Sequence, residues 1–183
     1  MTTNPTKRHT FRLVATICVA LLVMANTMLI FGFSSESKEE SGGRSREVTA
    51  FVARVLDPAF DELAPVEQDE VIDHLHHYVR KAAHFLEFAL LGCLTACFVQ
   101  LLWSLLEKRL LLPLSWGLPA LYCLLCAITD EVYQIFTHRG PAVGDVMIDF
   151  CGALSGVLFL HLCLWLASAI RRGRQGGREG ISA

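Results

Sequence analysis

Four long apolar stretches, about Phe11–Phe33, Ala82–Leu106, Leu110–Thr129 and Val146–Ile170, dominate this chain. Each approaches or exceeds the ~20 residues that an α-helix needs to cross a ~30 Å hydrocarbon core. Lipid offers no partner to a backbone N–H or C=O, so a helix that satisfies its own backbone is the expected form of each stretch. The pattern predicts an all-α polytopic membrane protein, a four-helix transmembrane bundle. An apolar share of 53%, a charged share of 19% and a mean hydropathy of +0.44 exclude an ordinary soluble domain, a disordered chain and a disulfide-stapled miniprotein. A net charge of −2 argues against nucleic acid as a partner.

The spans divide the chain into a short N-terminus (1–10), a first span (11–33), a long loop (34–81), a three-span core (82–170) and a basic tail (171–183). The first span has a basic flank, Lys7, Arg8 and Arg12, but is longer than a signal-peptide core and is not followed by a convincing cleavage site. It reads as a retained signal anchor. Proline at 113 and 119 is tolerated in or near the third span where neighbours satisfy the freed backbone. Lys7, Arg8 and Arg12, then Lys108 and Arg109, then Arg171, Arg172, Arg174 and Arg178 all fall on one side of a four-span topology. Between the third and fourth spans only Arg139 is basic. The long loop holds six basic and eleven acidic residues between Ser34 and Lys81. The positive-inside rule therefore predicts a bacterial plasma-membrane protein with both termini cytoplasmic. The long loop and the Asp130–Asp145 segment then share the outer face.

Within the long loop Val48, Phe51, Val52, Val55 and Leu56 recur at helical spacing, which predicts a short amphipathic helix ended by Asp57-Pro58. It would lie at the membrane interface or cover the mouth of the bundle. A second helix is expected to start near Pro65 and run straight into the second span. The Gly- and Arg-rich tail reads as a disordered topology signal. All seven cysteines lie in or beside apolar stretches, so a disulfide framework is not expected, and Cys123-x-x-Cys126 reads as ordinary membrane-helix packing.

Ionisable residues near a membrane span are costly, and they face a protein interior or water. Arg80, His84 and Glu87 fall within about 60° on one helix face, with Lys81 on the adjacent strip. Asp130, Glu131 and Gln134 follow the third span, and Gly140-Pro141 marks a turn. Asp145, Asp149, Gly152 and Gly156 fall within about 60° on the fourth. Gly152 and Gly156 form a small-xxx-small packing pattern. The natural partners of the acids are Arg80, Lys81, His84 and Arg139, and the acidic stretch itself reads as a re-entrant or hairpin-like segment. His74-x-His76-His77 lacks a complete ligand set and reads as solvated helix surface. No resident metal or cofactor is expected.

Arg80-Lys81-x-x-His84-Phe85-x-Glu87-Phe88, followed by Asp130-Glu131-x-x-Gln134-x-Phe136-x-x-Arg139, Asp145-x-x-x-Asp149 and Gly152-x-x-x-Gly156, resembles the VanZ family. Phe31-x-Phe33-Ser34-Ser35, with Ser41 after it, resembles the polar segment that follows the first span there. The resemblance spans roughly Phe31–Leu160. It implies a small multi-span bacterial protein, in a family whose namesake is associated with resistance to the lipoglycopeptide teicoplanin. It implies functional roles for Lys81, His84, Asp130, Glu131, Gln134, Arg139 and Asp145. Asp149 stands where the family commonly has Asn, Phe88 where Tyr is common and Glu36 where Gln is common.

These readings lead to an envelope protein whose outer charged site binds or shields a lipid-linked ligand, an anionic cell-wall intermediate or a lipoglycopeptide. Arg80, Lys81 and Arg139 would contact phosphate or carboxylate, with His84, Asp130, Glu131, Gln134, Asp145 and Asp149 around them. Membrane lipids and a second copy of the chain in a homo-oligomer are the other partners considered. Two alternatives stand beside it. A lipid-modifying enzyme would use His84, Glu87 or Asp130 as acid or base, or hold Mg²⁺ on Asp130, Glu131 and Asp145. A small oligomeric transporter would relay protons through Glu87 and Asp149.

Overall fold

In the computed structural model the described residues are 5–34, 38–107, 111–136 and 143–179. They form five α-helices: α1 (Pro5–Ser34), α2 (Lys38–Leu56), α3 (Pro65–Leu105), α4 (Leu112–Phe136) and α5 (Val143–Glu179), with a 3₁₀ turn at Phe60–Glu62 between α2 and α3. Helices α1, α3, α4 and α5 are long and apolar enough to cross a membrane. The fold is an all-helical membrane bundle.

Helix α3 is the axis of the molecule and packs against each of the other four. It starts at Pro65, whose missing N–H costs nothing in a first turn, and Glu67 accepts a hydrogen bond from the Ala64 backbone N–H at 3.0 Å. Its 41 residues span about 60 Å, twice the hydrocarbon thickness. Its N-terminal part therefore leaves the bundle and carries α2. There Ala53, Phe60 and Ile72 form a small second core. Asp57 ends α2, accepting from the Ala59 N–H at 2.9 Å.

Inside the bundle the main core gathers Ile30, Phe88, Leu91, Cys123, Cys126, Ala127 and Ala153. Helices α3 and α5 pack closely because three glycines remove the intervening side chains. A Cβ on Gly152 would collide with the Phe85 carbonyl, on Gly156 with that of Ala89, and on Gly92 with that of Ala153. The outer surface keeps large apolar residues such as Leu21, Leu22, Leu125, Phe159 and Trp165 exposed, as lipid contact requires.

Three boundaries differ from those read in the sequence. Helix α2 begins at Lys38, ten residues before the apolar repeat. It turns Thr49, Ala50 and Ala53 inward and leaves Val48, Phe51, Val55 and Leu56 exposed. Helix α4 continues through Asp130, Glu131 and Gln134, so these belong to its last turns, while 137–142, the middle of the segment read as a hairpin, lie outside the described residues. Helix α5 runs on to Glu179, making most of the basic tail helical where disorder was expected.

Candidate functional site

Four helices bring polar side chains to the end of the bundle that carries the α1–α2 and α4–α5 connections. Ser34 is the last residue of α1. Arg80, Lys81, His84 and Glu87 lie along successive turns of α3. Asp130, Glu131 and Gln134 end α4, and Asp145 and Asp149 open α5. Asp149 sits about 9 Å along the axis from Val143, well within the bundle.

Asp130 is the most enclosed member, with no exposed surface. Ser34 Oγ donates to its Oδ1, and Gln134 Nε2 donates to its Oδ2 at 2.9 Å. Burying a carboxylate costs several kcal/mol unless donors hold it, and these two fix its orientation. Asp149 is 2% exposed, and its Oδ1 accepts no hydrogen bond among the described residues. That oxygen faces His84 Nδ1 at 3.9 Å. Ligand-type atoms of His84, Asp130 and Asp149 all lie within 4.8 Å of one another. Glu131 is buried beside them, and the carboxylate of Glu87 lies in the electrostatic field of both Asp130 and Asp149.

Toward the end of the bundle the chemistry changes. Lys81 Nζ pairs with Asp145 Oδ1 at 2.7 Å, linking α3 to α5. Arg80, Lys81, His84, Asp145, Ile148 and Asp149 line a small pocket. A water-sized sphere can occupy about 10 Å³ of it, the room of a single water or ion. A cationic rim thus stands over an acidic floor.

Of the residues singled out in the sequence, His84, Asp130 and Asp149 converge, with Glu131, Gln134 and Glu87 around them. Lys81 takes Asp145 as its partner, while Arg80 lines the pocket. Of the Asp130, Glu131 and Asp145 set considered for Mg²⁺, Asp145 is the one paired with Lys81. Arg139 lies outside the described residues. Sequence reasoning left Ser34 out of the site, although it occurs in the polar block after the first span. It also left out Gly92, a single glycine inside an apolar run.

Four apolar spans around a buried acid–imidazole cluster define a multi-pass helical membrane protein with a polar site at one end. The family model described as VanZ/LLP1 matches residues 16–165, and the chain belongs to that family. The match takes in most of α1, of which the motif resemblance reached only Phe31–Ser34. No curated protein and no solved structure matches the chain.

Proposed function

We propose that this VanZ-like protein resides in the bacterial plasma membrane with both termini cytoplasmic. Its outer-facing site holds the anionic headgroup of a lipid-linked cell-wall intermediate or a lipoglycopeptide, and it thereby raises tolerance to drugs such as teicoplanin. The observation that carries this reading is the rim of Arg80 and Lys81 at the mouth between α3 and α5. Arg80 offers a planar fork suited to phosphate or carboxylate. Lys81 is held by Asp145, so an incoming anion competes with that carboxylate and gains specificity from the exchange. The exposed apolar row Val48, Phe51 and Val55 on α2 suits the lipid–water interface beside the mouth.

The test is teicoplanin susceptibility in a deletion strain complemented with wild type, Arg80→Ala or Arg139→Ala, at matched membrane abundance. The reading expects tolerance with wild type and its loss with both variants. Equal tolerance in the deletion strain and all three complemented strains removes the resistance function. Reporter fusions at residues 60 and 107 check the orientation, with opposite compartments expected and residue 60 outside.

A second reading, a lipid-modifying enzyme, is favoured by the approach of His84 to Asp149 at 3.9 Å, which places an imidazole beside a carboxylate. Turnover of a lipid by purified protein, lost in His84→Gln, would support it.

A further inference from the structure

We infer that His84, Asp130 and Asp149 form a binding site for one divalent transition-metal ion, of the Zn²⁺ or Mn²⁺ class. The inference departs from the expectation of no metal and is independent of the headgroup reading above.

The ligands come from three helices, α3, α4 and α5, and residues far apart in sequence supply one imidazole nitrogen and two carboxylate oxygens within 4.8 Å of one another. A metal bonded at about 2.1 Å to each donor holds its ligands roughly 3–3.5 Å apart. Closing to that spacing takes about an ångström of side-chain rotation. The mixed donor set suits Zn²⁺ or Mn²⁺ better than Ca²⁺, which takes six or more oxygens.

Asp149 is the independent pointer to a ligand. Its side chain is 98% buried by its 2% exposure, and Oδ1 has no hydrogen-bond donor among the described residues. A buried carboxylate oxygen left this way is expensive. The atom instead faces His84 Nδ1 across 3.9 Å, too far for a hydrogen bond and a natural separation for two ligands before an ion draws them in.

The surroundings supply what a metal site needs. Ser34 and Gln134 each donate to one oxygen of Asp130, which fixes its orientation and leaves each oxygen a lone pair for an ion. Glu87 and Glu131 place two more carboxyl groups nearby, while Lys81 is engaged by Asp145. The attraction between a divalent cation and two carboxylates grows in a low dielectric and offsets the cost of burying them. His84 and Asp149 also line the ion-sized pocket, so the metal has an entry path and an open position for water.

The test uses the full chain in detergent, purified without a polyhistidine tag, stripped with chelator and dialysed against micromolar Zn²⁺ or Mn²⁺, with Mg²⁺ and Ca²⁺ as comparison arms. Bound metal is counted by mass spectrometry. About one Zn²⁺ or Mn²⁺ per chain is expected, with affinity at least tenfold lower in Asp149→Asn and His84→Gln. The doubly substituted His74→Gln/His77→Gln protein removes the exposed histidines of α3 and should bind as wild type does. Absence of bound Zn²⁺ and Mn²⁺ overturns the site, as does equal uptake by wild type and Asp149→Asn. Loss of binding in the His74/His77 variant also overturns it, since the metal then sits on the surface. If Asp149→Asn does not fold, Ser34→Ala decides. A smaller metal-induced rise in melting temperature than in wild type supports the site, and an equal rise overturns it.

Discussion

Helix α3 makes two sets of charged contacts about three turns apart, and they differ in kind. Near its start Asp69 and Asp73 receive both arms of Arg46 from α2, at 2.7 and 2.5 Å. These side chains are 43%, 68% and 67% exposed, so water and salt screen the pair. Farther along, His84 meets Asp149 and Asp130 inside the bundle, where Asp130 is fully buried. The short ion pairs belong to the exposed set, yet the larger energetic consequences belong to the buried one. A buried group left without its partner costs about 3–5 kcal/mol, while an exposed pair is worth about 0–1 kcal/mol. Contact length alone is therefore a poor guide to what matters in this molecule.

The sharpest way to break the buried region leaves every charge in place. Gly156→Val pushes α5 off the Ala89 carbonyl and separates the helices that carry His84 and Asp149. A loss of about 3 kcal/mol or more is expected, with failure to accumulate in the membrane. Denaturant unfolding in micelles checks it. Asp130→Ala comes next, because it removes the buried acceptor of the Ser34 hydroxyl and of the Gln134 amide. A loss of about 2–3 kcal/mol is expected by the same assay. The smallest effect belongs to Arg46→Gln, about 0.5 kcal/mol and vanishing in 1 M salt. If Arg46→Gln matched Asp130→Ala, the contrast between the two regions would collapse.

Much of this architecture is legible in the sequence because lipid permits so few solutions. The four spans, the start at Pro65 and the continuous α3 follow from apolar length and one well-placed proline. The site residues are visible because Glu87 and Asp149 sit among apolar neighbours, where a charge needs a reason. Other features are not legible for physical reasons. Polar residues after an apolar span look like a loop, but Asp130, Glu131 and Gln134 stay helical because buried partners reward inward-facing side chains. The early start of α2 runs through Gly42 and Gly43, poor helix formers whose propensity gives no such signal. Its apolar row does not mark its buried face either, since small residues at 49, 50 and 53 allow closer packing on α3. The meeting of His84, Asp130 and Asp149 depends on the rotation and height of three helices, which glycines set and periodicity cannot.

The central claim is that the buried cluster serves a function and is not simply packing. The direct measurement is membrane abundance and teicoplanin tolerance together, for Asp130→Asn, His84→Gln and Arg46→Gln in a deletion strain. The account predicts that His84→Gln and Asp130→Asn keep at least half the wild-type abundance and lose tolerance, while Arg46→Gln keeps both. Tolerance that merely follows abundance across all three variants would contradict it.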